Sequence, residues 1–292
     1  MIITSCGNSE EIAKNIAKKL RVKYSPLTIA AFPDGDLYLK YNTDLKGQKV
    51  VIVQSFQPHP DMSLFDVLFA AEAAKDLGAK KVILVAPYLS YMRQDKRFNP
   101  GECISSKVMA KLLNNSIDKL ITVDPHIHRY KSLKDIFTIQ TTKLTANSLI
   151  ADYIKEHFKN EVIIGPDAES FQWAEDIAKR IKVSATVLKK TRFSSRHVEV
   201  RMNNPIEIKG KNVVIVDDVI STGHTVAEAA KQAKKMGAKE ISTIAVHGLF
   251  VENGIDKLKK AGVSKIITTN TIEHPSNKID ITPLLIEELK KE

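Results

Sequence analysis

The chain repeats itself, and that repetition limits the folds open to it more than any other feature. Gly47-Gln-Lys-Val-Val-Ile-Val-Gln54-Ser55 resembles Gly210-Lys-Asn-Val-Val-Ile-Val-Asp217-Asp218, 163 positions further on. Leu77-Gly-Ala-Lys-Lys-Val-Ile resembles Met236-Gly-Ala-Lys-Glu-Ile at an offset of 159, and Asn15-Ile-Ala-Lys-Lys-Leu-Arg-Val matches Asp176-Ile-Ala-Lys-Arg-Ile-Lys-Val at an offset of 161. Similar strings at a near-constant offset mean two copies of one unit. Each copy alternates helix-period stretches with short apolar runs, among them 82–86, 120–123, 162–164 and 241–246. That alternation predicts α/β domains, each a mostly parallel sheet with helices on both faces. The expected division is a first domain over 1–142, a second over 143–280 and a tail over 281–292.

A length of 292 residues at 43% hydrophobic content suffices for two such cores. No apolar run approaches the ~20 residues of a membrane helix, and the first residues lack the basic start of a secretory signal, so the expectation is a cytoplasmic protein without a membrane partner. The two cysteines, Cys6 and Cys103, stand far apart without a nearby Cys/His cluster, which argues against a disulfide framework or a zinc site. A net charge of +10 fits nucleic acid, anionic lipid or phosphorylated small molecules equally. Lysines are spread along helical faces and no nucleic-acid-reading string stands out, so no nucleic-acid partner is expected.

The copies differ where chemistry is to be expected. In the second, the β-branched run 213–216 leads into Asp217 and Asp218, then Val-Ile, then Ser221, Thr222, Gly223, His224 and Thr225. Ligands of open parallel sheets collect beyond the carboxyl ends of the strands. Paired carboxylates suit the vicinal hydroxyls of a ribose, and backbone N–H groups at a turn entering a helix suit a phosphate. Taken alone, Asp-Asp after a strand also serves as polar punctuation or as the acidic pair of a phospho-acceptor domain, and Ser-Thr-Gly also caps helices. The first copy has Gln54-Ser55 and no such turn, so the cradle belongs to the second copy only.

A degenerate first copy followed by an intact second one resembles the ribose-phosphate pyrophosphokinase family, with tandem type I phosphoribosyltransferase-like domains. Five further segments match in order: Phe32-Pro-Asp34-Gly35-Asp36, Arg93-Gln94-Asp95, Asp124-Pro-His126, Gly165-Pro-Asp167 and Lys190-Thr-Arg192. The resemblance implies transfer of the β,γ-pyrophosphoryl group of Mg-ATP to O1 of ribose 5-phosphate, giving phosphoribosyl pyrophosphate and AMP for nucleotide biosynthesis. It implies Lys190 and Arg192 as catalytic groups, on a stretch 189–197 read as a mobile loop. Arg192, Asp217, Asp218 and residues 221–225 would bind ribose 5-phosphate. Phe32, Asp34, Gly35, Asp36, Arg93, Gln94, Asp95 and His126 would bind ATP, and His126 and Asp167 would serve Mg²⁺ sites. The adenine loop of this family reaches across a subunit contact, which implies a homo-oligomer.

Two departures stand out. After His126, the family's small residues, glutamines and paired aromatics give way to Ile127-His128-Arg129-Tyr130-Lys131, in a region tied to subunit contacts and regulation. At the ribose loop, Ser221 replaces a common Asp and His224 a small residue. The rival readings are a true phosphoribosyltransferase, against which the ATP-type strings count, and a non-catalytic regulatory homologue, against which the retained Lys190, Arg192 and His126 count.

Overall fold

The computed structural model describes residues 1–167, 170–192, 198–202 and 206–292, the stretches 188–192 and 198–202 as backbone only. It divides into two compact units: Met1–Leu144 with Thr271–Glu273 and Ile281–Glu292, and Thr145–Asn270 with His274–Asp280.

In the first unit the chain runs β1 (Ile2–Ser5), α1 (Glu10–Leu20), β2 (Lys23–Tyr24), β3 (Leu27–Ala31), β4 (Leu37–Tyr41), β5 (Lys49–Val53), α2 (Pro60–Asp76), β6 (Lys81–Ala86), α3 (Ser105–Ser116), β7 (Lys119–Val123) and β8 (Gln140–Leu144). Its main sheet has the order β2-β1-β5-β6-β7-β8, every pairing parallel. Val50, Val51, Ile52 and Val53 are all fully buried, as helices on both faces of a parallel sheet require. β3 and β4 form a separate antiparallel ribbon. The ribbon is fastened by Tyr41, whose hydroxyl donates to the Ala70 carbonyl at 2.9 Å.

The second unit runs α4 (Asn147–His157), β9 (Glu161–Gly165), α5 (Phe171–Ile181), β10 (Ala185–Arg192), β11 (Val198–Met202), β12 (Asn212–Ile220), α6 (His224–Lys235), β13 (Glu240–Gly248), α7 (Gly254–Lys260), β14 (Lys265–Thr269) and β15 (Asn277–Ile279). Its sheet order is β11-β10-β9-β12-β13-β14-β15. Apart from the extra edge strand β11, that order repeats the first unit's. Each unit has its own core, around Val50, Ile52, Val67 and Leu84 in the first and Val213, Ile215, Val226 and Leu258 in the second. Each fully buried aliphatic side chain of this kind stabilises its unit by roughly 1.5–3 kcal/mol.

The repeat extends to individual hydrogen bonds. Helices α1 and α5 both end in a left-handed residue, Arg21 at φ 57° and Lys182 at φ 60°. The following amides, Val22 and Val183, donate to Ala17 and Ala178 at 3.0 Å each. Gly47 donates to the Gly78 carbonyl and Gly210 to the Gly237 carbonyl, both at 2.8 Å. All four glycines lie between φ 71° and φ 84°, where a Cβ is strained, which is why these letters persist in both copies.

Three expectations are corrected. The strand 213–216 continues through both aspartates to Ile220, because β13 offers partners as far as Ile220 opposite Gly248. The stretch 189–197, expected to be a loop from its charge, is strand backbone through Arg192; Lys190 pairs with Val200 and Arg192 with Val198 in an antiparallel hairpin. Residues 193–197 lie outside the described residues. The expected tail is the helix α8 (Thr282–Leu289), which belongs to the first unit: Leu285 and Leu289 are buried and α8 packs on α1. Among the described residues no helix is long and apolar enough to cross a membrane.

Candidate functional site

In the second unit the last residues of β12 carry the acidic pair into the turn 221–223. Asp218 is buried and its Oδ1 accepts from the Val219 amide at 2.8 Å, while Asp217 Oδ1 accepts from the Asp218 amide at 3.1 Å. Gly223 then adopts φ 75° as the residue before α6. A Cβ there would approach the Gly254 carbonyl to 3.1 Å and Leu258 Cγ to 3.4 Å, so both the backbone angle and the space call for glycine. Gly254 answers from the other side, since its own Cβ would meet the Ser221 carbonyl at 3.1 Å. Ser221 and Thr222 are partly exposed, and His224 and Thr225 are exposed in the first turn of α6. His224 Nε2 lies 3.4 Å from Lys257 Nζ. Among the described residues no side chain caps the start of α6, whose first amides keep the partial positive charge of a helix N-terminus.

Carboxylates gather here. Burial raises the Asp217 carboxyl well above the ordinary range, and Asp218 and then Asp167 add to the rise by repulsion. Asp167 follows β9, and its Oδ1 accepts from the Ser170 amide at 2.9 Å and the Ser170 hydroxyl at 2.8 Å. Such a group favours a positive charge or hydroxyl donors beside it. Its all-oxygen donor set is the kind that Mg²⁺ takes.

At the matching end of β5 the first unit is closed. Gln54 and Ser55 are buried; the Ser55 amide donates to Ser9 Oγ at 2.9 Å, and Gln54 Nε2 and Asn8 Nδ2 both reach Ser63 Oγ, at 3.3 and 3.0 Å. Neutral side chains bonded to one another fill the place that carboxylates hold in the second unit.

The other sequence-derived residues of this unit lie on three segments. Phe32, Asp34, Gly35 and Asp36 form the tip of the β3–β4 ribbon, closed by the Phe32 amide on the Asp36 carbonyl and the Gly35 amide on the Phe32 carbonyl, both 2.8 Å. Phe32 is half exposed at this tip, its ring edge-on to Tyr38 with centroids 5.5 Å apart. Arg93, Gln94 and Asp95 lie in the connection from β6 to α3: Arg93 is exposed, Gln94 accepts at Oε1 from Ser105 Oγ at 2.9 Å, and Asp95 is buried against Arg129 at 2.8 Å. His126 follows β7 and faces His128, Nδ1 to Nε2 at 3.0 Å. The side chains of Lys190 and Arg192 lie outside the described residues; their backbone belongs to β10.

Sequence reasoning missed Gly254 and the pair Arg129–Tyr130. Asn253-Gly254 is a turn dipeptide and could have been singled out as such. Nothing in the sequence ties Arg129 to Asp95.

Tandem parallel-sheet units, one of them leading a carboxylate pair into a glycine turn at a helix N-terminus, define a phosphoribosyltransferase-type α/β protein. Residues 1–116 match the model of the N-terminal domain of ribose phosphate pyrophosphokinase, and residues 132–283 match that of the phosphoribosyl transferase domain. A ribose-phosphate pyrophosphokinase of Methanothermobacter thermautotrophicus is 34% identical over 99% of this chain and 100% of its own, and that of Pyrococcus furiosus is 35% identical over 94% and 96%. The crystal structure of phosphoribosylpyrophosphate synthetase from Mycobacterium smegmatis superposes with a TM-score of 0.87 at 27% identity, covering 99% of this chain and 97% of that one. The chain belongs to the ribose-phosphate pyrophosphokinase family, enzymes that form phosphoribosyl pyrophosphate from ATP and ribose 5-phosphate for nucleotide biosynthesis.

Proposed function

We propose that this chain moves the β,γ-pyrophosphoryl group of Mg-ATP to O1 of ribose 5-phosphate and releases AMP, with the 221–225 turn as the phosphate cradle. The observation that carries this reading is the passage from Asp217 and Asp218 through Gly223, at φ 75°, to the uncapped start of α6. Amides of the turn and the first helical turn receive the 5-phosphate, and the two carboxylates receive the ribose hydroxyls. Phe32, Asp34, Gly35 and Asp36, together with Arg93, Gln94 and His126, receive ATP.

Phosphoryl transfer leaves the protein little covalent work, so rate comes from alignment and from charge placed beside the phosphates. Lys190 supplies a point charge, and the planar fork of Arg192 holds phosphate oxygens. Mg²⁺ neutralises phosphate charge when bound; Asp167 is an oxygen donor suited to it, and the raised carboxyl of Asp217 fits a place that a cation relieves. His126 is assigned to the metal that accompanies ATP.

A homo-oligomer is part of the proposal. An apolar face supports it: Met62, Phe65 and Phe69 on α2, with Val108 and Leu112 on the neighbouring α3, stand exposed on the sides opposite their buried residues.

The reaction is tested by ³¹P NMR with ATP, Mg²⁺ and ribose 5-phosphate, each omitted in turn. AMP and phosphoribosyl pyrophosphate arising only with all three is the expected result. Binding of substrates without transfer would instead select the regulatory reading.

A further inference from the structure

The structure gives the residues after His126 a task. The Asp95 side chain is 1% exposed, and its Oδ1 accepts from Arg129 Nη1 at 2.8 Å. The next residue, Tyr130, donates its hydroxyl to the Asp95 carbonyl at 3.1 Å and lies 3.0 Å from Ser106 Oγ. Ser106 in turn donates its amide to the Gln94 carbonyl at 3.2 Å, and Ser105 Oγ donates to Gln94 Oε1 at 2.9 Å. The Arg129 guanidinium also lies over the Phe98 ring at 5.4 Å from its centroid, further along the same connection. The turn that carries His126 and the connection that carries Arg93 and Gln94 are thereby tied together at several points.

A carboxylate so deeply buried is badly placed to meet a ligand, and Asp95 Oδ2 has no hydrogen-bond partner among the described residues. Arg93, two positions earlier, is exposed. The group able to reach a phosphate is therefore Arg93, and the group that fixes its backbone is Asp95 acting through Arg129.

We propose that Arg129 is a positioning residue for the nucleotide: its ion pair with Asp95, seconded by Tyr130, holds the Arg93–Gln94 backbone and the His126 turn in the arrangement that receives ATP. This rests on the reading that Arg93, Gln94 and His126 bind ATP. A planar guanidinium that also lies over the Phe98 ring suits the task better than an ammonium, so Lys at this position restores charge without full geometry.

Wild-type formation of AMP and phosphoribosyl pyrophosphate judges the functional reading by itself; the variants judge the inference. In steady-state assays Arg129→Met is expected to raise KM for ATP about 10-fold, the loss that follows from misplacing a bound group, with KM for ribose 5-phosphate unchanged. Arg129→Lys falls between wild type and Met, and Tyr130→Phe shifts the ATP constant in the same direction by less. Should the Met variant fail to fold, the Lys and Phe variants carry the test. In a double-mutant cycle Arg129→Met adds little once Asp95→Asn is present, because both changes break one contact. Equal changes in both KM values, Lys no better than Met, or additive effects in the cycle would overturn the inference.

Discussion

Lys119 and Glu288, 169 positions apart, meet at 2.8 Å with both side chains nearly enclosed. Lys119 Nζ also lies 2.8 Å from Glu292 Oε1, and Glu292 Oε2 lies 2.7 Å from Lys81 Nζ. Thr142 Oγ1 completes the cluster with a bond to Glu288 at 2.9 Å. These contacts fasten the last helix to the sheet of the first unit beside β7, and they make that attachment sensitive to acid.

Burial pushes the Glu288 carboxyl upward, but hydrogen bonds from Lys119, Lys291 and Thr142 outweigh it and hold the group at about 2, below its ordinary 4.5. A carboxyl held down in the folded state stabilises it at pH above the ordinary value and loses that contribution as pH falls towards the folded one. The melting temperature should therefore drop between about pH 5 and pH 2. Glu288→Gln should melt lower at neutral pH and show a shallower decline, by calorimetry across that range. Lys119→Met removes the cation that Glu288 and Glu292 share, leaving each with one other lysine, Lys291 and Lys81, and should cost about 1–3 kcal/mol in urea unfolding.

Asp217→Asn should weaken ribose 5-phosphate binding in calorimetry while ATP binding is preserved. The sign for stability is opposite to that of Glu288. Burial, Asp218 and Asp167 raise the Asp217 carboxyl, so its ionised form opposes folding as pH rises through the acid range. The ligand-free Asn variant should accordingly melt above wild type at neutral pH, and Mg²⁺ should raise the melting temperature of wild type more than that of the variant. A lower melting temperature for the variant would show that Asp217 is held by partners rather than crowded by like charge.

Gly223→Ala forces a side chain into a left-handed backbone and towards the Gly254 carbonyl at 3.1 Å. A loss of about 1–3 kcal/mol in unfolding free energy is expected, with ribose 5-phosphate affinity reduced and ATP affinity unaffected. Denaturant titration and calorimetry read the two effects separately.

Lys190→Ala should lower turnover at least ~100-fold with an unchanged melting temperature, the scale of removing one preorganised charge from a transition state. An unaltered single-turnover rate would remove Lys190 from the chemistry.

Phe65→Asp places a charge in the middle of the exposed face shared with Met62 and Phe69. If that face is covered by a second copy of the chain, the substitution should move sedimentation to a smaller species while ATP-independent ribose 5-phosphate binding persists. An unchanged sedimentation coefficient would direct the search for the subunit contact elsewhere.

The repeat, the parallel strands and the string from Val213 to Thr225 could be read before any coordinate, because each is a local signal. A β-branched run, a glycine needed at positive φ and an acidic pair ahead of a helix all act within one strand or turn. Their chemistry does not depend on distant residues. Element lengths were less legible: β12 passes through Asp217 to Ile220 because β13 continues alongside it, and the strand backbone at Lys190 and Arg192 exists because Val198 and Val200 pair with it.

Folding alone decided which distant residues meet. Arg129 with Asp95, Gly223 with Gly254, and Lys119 with Glu288 are side-chain or backbone approaches between residues at least 31 positions apart. The residues 281–292, expected as a tail, instead form a helix whose Leu285 and Leu289 are buried in the first unit. A pairwise contact of this kind leaves no period or spacing in the chain, since its energy comes from bringing both partners together where little water competes, and that place is set by the packing of everything between them.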